Sequence, residues 1–217
     1  AQLKAEGGTT VAEEYTPLGS TDYSAVVSKI KASKPQAVFN TLNGDSNVAF
    51  FKQMKAAGFT ADNMPVMSVS VAEEEVAGIG VDNFTGQLTA WNYFQTVTGD
   101  VNKKFVDSFK KAYGATKVTD DPIEHAYAAV YLWAAQAKKA GSVDVDKVRA
   151  AADGVAFDSP QGTVTLDGAT QHIFQKAMIG QAGSDGQFKI LWDSGDKPLQ
   201  PDPYLKTYSW GSTVTGG

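Results

Sequence analysis

Between Gln36 and Ala57 the spacing of apolar residues changes once. Ala37-Val38-Phe39 is a short continuous apolar run, which predicts a buried parallel strand. From Val48 the apolar residues recur at helical spacing, with Phe51 and Met54 inward, Phe50 beside them and Gly58 closing the helix. The two patterns are joined by a polar elbow, Asn40-Thr41-Leu42-Asn43-Gly44-Asp45-Ser46-Asn47. In open α/β sheets ligands bind at the carboxyl ends of strands, where such elbows gather. Asn40, Asn43 and Asn47 can each donate and accept hydrogen bonds without carrying charge, which suits a small neutral polar ligand better than a phosphate or a metal ion. The plainer reading is that Asp45 or Ser46 caps the helix while Gly44 makes the turn, and the two readings are compatible.

The same alternation extends through much of the chain. Ala1–Glu6 reads as the end of a helix stopped by Gly7-Gly8, so the chain is expected to be truncated at its start. Thr9–Tyr15 is expected to be a strand, and Asp22 to cap a helix that runs to about Ser33 with Ala25, Val26 and Ile30 inward. Pro65–Val71 predicts a strand, Glu73-Glu74-Glu75 open a short helix, and Phe84–Phe94 predicts a longer strand. Strands alternating with helices imply a parallel sheet with right-handed crossovers, so the class is α/β.

Asp100 starts a helix with Val101, Phe105, Phe109 and Tyr113 on one face, ended by Gly114. Pro122–Ala140 is apolar almost all the way round, so it is expected to be covered on several sides. A short helix follows at Val145–Ala152, and from Val155 the texture changes to β segments. Thr163–Asp167 is one strand, and Ile173–Ala182 with Gln187–Asp193 predicts a hairpin across Gly183-Ser184-Asp185-Gly186. The tail is proline-rich from Pro198 to Pro203 and is expected to fray through Gly216-Gly217.

Composition narrows the chemistry. The chain has 217 residues and a formal net charge of −5. No cluster of lysines and arginines is dense enough for a phosphate backbone, so nucleic acid is not an expected partner. No apolar run approaches the roughly 20 residues of a membrane span. The absence of cysteine removes disulfides and thiolate chemistry. The two histidines, His125 and His172, stand on segments of different type, whereas zinc needs three or four ligands, so no metal is expected. His125 beside Glu124 reads as a helix-face residue, and Asp120-Asp121 before Pro122 as a helix start. One of Glu73, Glu74 and Glu75 could instead point into the strand-end crevice and accept N–H groups from a ligand. Trp91, Tyr93 and Phe94 either pack in the core or line a cleft. There is no dinucleotide fingerprint, phosphate-binding loop or nucleophile elbow, so neither an enzyme nor a cofactor is expected.

The runs VFNTLNGDSNVAFFKQMKAAG, PVMSVSVAEEEVAGIG and TAWNYFQT resemble the second half of a urea-type solute-binding protein of an ABC importer. The resemblance continues through NKKFVDSFKKAYG, VTDDPIEHAYAAVYLWAAQAKKAG, FDSPQGTVTLDGATQHIFQKAMIGQ and DGQFKILWDSGDKPLQPDPY, and so covers nearly the whole chain. It implies the type I periplasmic-binding-protein fold, two α/β lobes joined by three crossovers, here with a C-terminal β hairpin. Lobe two would take residues 1–94 and 155–217, and residues 95–154 would belong to lobe one, with the start of the family pattern missing. The resemblance places Leu42, Asn43, Ser68, Val69, Ser70 and Glu73 at strand ends facing the cleft. It implies a non-catalytic, periplasmic or lipid-anchored receptor that captures urea or a short-chain amide and delivers it to an ABC permease. The alternative it leaves is a cytoplasmic amide-sensing regulator on the same fold.

Overall fold

The chain opens with α1 (Gln2–Ala5) and, after an irregular passage, α2 (Ser24–Ser33). It then alternates through β1 (Val38–Asn40), α3 (Asp45–Ala56), β2 (Val66–Ser68), α4 (Glu73–Ile79), α5 (Val81–Phe84) and β3 (Leu88–Trp91). Three helices follow, α6 (Asp100–Tyr113), α7 (Asp121–Ala140) and α8 (Val145–Ala150). The last strands are β4 (Ala156–Ser159), β5 (Gly162–Asp167), β6 (His172–Phe174), β7 (Met178–Ala182) and β8 (Phe188–Asp193). This computed structural model describes residues 1–211, so the fraying expected at Gly216-Gly217 lies outside the described residues.

Two sheets divide the strands. One has the order β1-β2-β3-β7-β8, parallel across β1, β2 and β3 and antiparallel from β3 onward. The other is the antiparallel set β4-β5-β6. The α/β class and the C-terminal hairpin of β7 and β8 are as expected. The hairpin's first strand is shorter than Ile173–Ala182, because Ile173 and Phe174 pair with β5 in the other sheet. Val155, Val164 and Leu166 form a core with Leu132 and Ala152, against which Phe157 and Ile173 pack. Residues up to Phe174 are thus grouped with α6–α8, and the chain rejoins the first sheet only after Gln175, well beyond Val155.

One face of the first sheet is well covered. Phe50, Phe51 and Met54 of α3, Val76 and Ile79 of α4 and Phe84 of α5 are buried against Val66 and Phe188. The rings of Phe50, Phe51 and Phe84 meet edge to face at 5.1 and 4.6 Å, pairs worth about 1 kcal/mol each beyond their buried area. Phe94 lies over Gly180, where a Cβ would stand 2.6 Å from the ring, so only glycine permits this approach. Tyr93 and Phe94 are fully buried, which settles them as packing residues. Both lie past the end of β3, and Phe84 ends a helix, so the expected strand Phe84–Phe94 shrinks to Leu88–Trp91.

The opposite face is open. Phe39 is 69% exposed and Trp192 51%, with Met67, Leu88 and Ile179 only half-buried beside them in register. The expectation that Ala37-Val38-Phe39 is buried on both sides is therefore corrected for Phe39. Thr9–Tyr15 is not a strand: it finds no ladder partner, and Val11 and Tyr15 stand in solvent. The cover expected all round α7 is also not found. Ala128 and Leu132 are buried, whereas Val130 and Trp133 are 65% and 51% exposed.

Candidate functional site

Because β1, β2 and β3 are parallel, their carboxyl ends share one rim, with Asn40 paired to Ser68 and Ser68 to Thr89. The elbows after β1 and β2 are consequently neighbours. Asn40 is buried and fully used: its Nδ2 donates to Asn47 Oδ1 at 2.8 Å and to Ser68 Oγ at 3.0 Å, and its Oδ1 accepts from Leu42 N at 3.0 Å. Asn47 Nδ2 donates to the Leu42 carbonyl at 2.8 Å, and the Ser70 hydroxyl donates to the same carbonyl. Val69 N reaches Asn40 O at 3.3 Å, and Thr89 Oγ1 and Trp91 Nε1 each reach the Val71 carbonyl at 2.8 Å. Two of the three asparagines thus hold the elbow in shape from within.

The capping expectation fails. Gly44 is the N-cap, with φ +58°, and neither Asp45 nor Ser46 caps α3. Ser46 Oγ instead accepts from Gly19 N at 3.0 Å, which ties down the loop before α2.

Of the six residues placed at the cleft by resemblance, four reach the surface of the rim. Asn43 is exposed, with one long contact from Nδ2 to Thr41 O at 3.4 Å, and Leu42, Val69 and Ser70 are half-buried. Ser68 is fully buried beneath them. Glu73 is also buried, and it turns inward: Oε1 accepts from Gln95 N at 2.7 Å, while Oε2 has no partner. Burial, reinforced by the charges of Asp120 and Asp121, pushes the Glu73 carboxyl up to about 8, so it is mostly protonated at neutral pH. Glu74 is exposed, and the Glu75 carboxylate accepts from Ala72 N at 2.8 Å to fasten the start of α4.

A second polar cluster surrounds the first turn of α7. Asp120 is the N-cap, accepting from Ile123 N at 2.9 Å, and burial pushes its carboxyl up to about 6. Asp121 Oδ2 accepts from Asn92 N and Tyr93 N at 2.8 and 2.9 Å. Glu124 accepts from the Ser159 hydroxyl and, at 2.7 Å, from Gln161 Nε2. His125 stands 3.0 Å from Asp121 Oδ1 through Nδ1 and 2.8 Å from Gln175 Oε1 through Nε2. Burial lowers the His125 pKa, but the hydrogen bonds and charge of Asp121 and the bond to Gln175 together outweigh it and the net value rises to about 9, so the ring is charged and donates from both nitrogens. Sequence reasoning read Asp121 as a helix start and His125 as a helix-face residue. The available signal was their spacing: positions 121, 124 and 125 share one helical face at the head of an otherwise apolar helix. Among the described residues no cluster of His, Asp or Glu could hold a metal ion.

A recess of about 470 Å³ lies between the two sheets' units, lined by Thr98, Asn102, Ser159, Gln161, Lys176 and Met178 among others. It shares no residue with the rim of β1 and β2.

Residues 1–210 match the periplasmic binding protein domain. The chain is 27% identical over 188 residues to Leu/Ile/Val-binding protein homolog 6 of Brucella melitensis, covering 84% of this chain and 48% of that protein. A solved solute-binding protein of an ABC transporter from Rhodopseudomonas palustris, in complex with p-hydroxybenzoic acid, superposes with a TM-score of 0.78 at 27% identity. That likeness covers 95% of this chain and 57% of the other. A limonene hydroxylase of Geobacillus stearothermophilus is 29% identical over 120 residues, covering 55% of this chain but 22% of that protein. The chain thus spans about half the length of the binding proteins it matches. It belongs to the periplasmic binding protein family and has the type I fold of that class.

Proposed function

We propose that this chain is part of a non-catalytic receptor that captures a small polar solute at the rim of Leu42, Asn43, Val69 and Ser70 and presents it to an ABC permease. The carrying observation is the pair of adjoining elbows at the carboxyl ends of β1 and β2, braced internally by Asn40 and Asn47 and open outward at Asn43. A pre-braced polar rim contributes to affinity because little of it has to be ordered when the solute arrives. Ser68 lies beneath the rim and supports it by accepting from Asn40 Nδ2, while Glu73 turns inward to Gln95. Solute that touches both lobes only when they close shifts the population toward the closed form, which the permease would recognise. The setting is the periplasm or the outer face of the cell membrane. Membership of this family favours transport over the cytoplasmic regulator.

Within that class we propose urea or a short-chain amide as solute. The exposed rim groups are neutral, an amide, a hydroxyl and backbone atoms, with no lysine or arginine among Leu42, Asn43, Val69 and Ser70 to meet a carboxylate. Urea offers four N–H donors and one carbonyl, which such groups can pair. The second reading is a small carboxylic acid or an amino acid, favoured by the ligands named for the relatives. Calorimetry on the full-length protein with urea, acetamide, 4-hydroxybenzoate and leucine separates the two. Saturable heats with the amides alone support the first, saturable heats with the acids alone establish the second, and no binding of any of the four contradicts both.

A further inference from the structure

Two chain segments join the unit built on the first sheet to the unit built on α6–α8 and the second sheet. One leaves β3 through Asn92–Gln95, and the other enters β7 through Gln175–Ala177. Both are fastened to the same helical turn. Asp121 takes the backbone N–H groups of Asn92 and Tyr93, and His125 donates to the side chain of Gln175. Between these two residues in space, Glu124 takes Ser159 and Gln161 from the turn joining β4 to β5. The first segment is braced again from α6 and from the approach to α7. Asn102 Nδ2 donates to Gln95 O at 3.0 Å, and Thr119 N donates to Gln95 Oε1 at 2.9 Å. Asp121, Tyr93, Asn102 and Thr119 are buried, and Asn92, Gln95, His125 and Gln175 are half-buried, so an unmade hydrogen bond here is costly.

We propose that the first turn of α7 is the pivot of the hinge, with Asp121 and His125 as positioning residues that hold both connecting segments at one point, while Glu124 fixes that turn to the β4–β5 turn of its own unit. The units then rotate about this turn instead of sliding along each other, because each connection is anchored at the same axial level of a rigid helix. Hinge motion concentrates in a few residues at element ends, and here those are Thr98–Gly99, past the bond from Thr96 Oγ1 to Phe188 O at 2.7 Å, and Lys176, between the Gln175 anchor and Ala177, whose N donates to Ser194 Oγ at 3.1 Å. The same ties explain a segment order otherwise without reason, an acidic and cationic first turn at the head of an apolar helix. The consequence for solute capture, a fixed closing path, rests on the receptor reading above; the mechanical claim does not.

The chain contains no cysteine, so nitroxide labels at Lys55→Cys on α3 and Lys138→Cys on α7, both exposed, report the separation of the units without background labelling. Distances are measured on this chain with no solute added. The unaltered pivot is expected to give one narrow distribution. Gln175→Ala cuts the tie through His125 and is expected to broaden the distribution and shift its mean outward. Gln175→Glu, which restores an acceptor for the charged imidazole, is expected to return it to the unaltered shape, a rescue that a loss of bulk packing would not show. Asp121→Ala, which cuts the tie to Asn92 and Tyr93, is a second and independent test in case one variant fails to fold. Distributions that stay narrow in the folded Ala variants, or that Gln175→Glu does not restore, overturn the proposal. A distribution broadened by Gln175→Ala and restored by Gln175→Glu, with no saturable binding of urea or 4-hydroxybenzoate by the full-length protein, would count against the receptor reading and leave the pivot standing.

Discussion

The rim and the pivot are both polar clusters set among apolar packing, yet they are built on opposite principles. The rim is made of neutral amides and hydroxyls, and its outermost member, Asn43, faces solvent with one weak contact. The pivot is made of carboxylates and an imidazolium, and nearly every polar atom in it has a partner inside the protein. A group meant to exchange water for solute is left partly unpaired at low cost in solvent. One meant to hold two segments in place is buried, charged and satisfied, where breaking it is expensive. Polarity alone does not distinguish the two roles; burial and completeness of pairing do.

The contrast is most sharply broken at the pivot. Glu124→Ala leaves Ser159 and Gln161 without their acceptor, removes a carboxyl 3.7 Å from His125, and is expected to cost about 3 kcal/mol, read from guanidinium unfolding. A loss no larger than that of an exposed substitution would place Glu124 outside the framework. Asn40→Ala comes next, at about 2 kcal/mol, because Leu42 N and the side chains of Asn47 and Ser68 each lose a partner.

Asp120, held protonated to about 6 against 3.8 unfolded, adds a slope of the same sign at the acidic end, and Glu73 and His125 give the pH dependence above it. The folded chain keeps the Glu73 proton to about 8, whereas the unfolded carboxyl releases it near 4.5, so the fold is progressively disfavoured as pH rises between those values. His125 is held charged to about 9 against 6.5 unfolded, so its contribution is full below 6.5 and is lost as pH rises through 9. Both slopes run the same way: the melting temperature is expected to fall from mildly acidic to alkaline pH. Glu73→Gln should flatten the lower part of that fall and leave the upper part, and an unchanged profile would show that Glu73 is ionised in the fold. The smallest effect on stability is expected at Asn43→Ala, within about 0.5 kcal/mol, although the same change should weaken solute binding.

Much of this arrangement was legible in the sequence. The switch from a three-residue apolar run to helical spacing located β1 and α3, and the parallel alternation placed the two elbows on one rim. Where the reading failed, contacts distant in sequence decided. Thr9–Tyr15 has strand-like residues but no ladder to join, and Phe39 has a strand partner but no layer above it. Ile173 and Met178 look like one strand because local pattern cannot show that the chain changes sheets at Gln175. Asp121 looked like an ordinary helix start and His125 like a helix-face residue because their partners, Asn92 and Gln175, lie 29 and 50 residues away.

The central claim is that solute settles on the elbows after β1 and β2. Amide chemical shifts of the isotopically labelled full-length protein, followed while urea, acetamide, 4-hydroxybenzoate and leucine are titrated in turn, test it most directly. The account predicts saturable shifts at Leu42, Asn43, Val69 and Ser70 with at least one of these solutes. Saturable shifts confined to the recess around Thr98 and Ser159, or none at the elbows with any of the four, would contradict it.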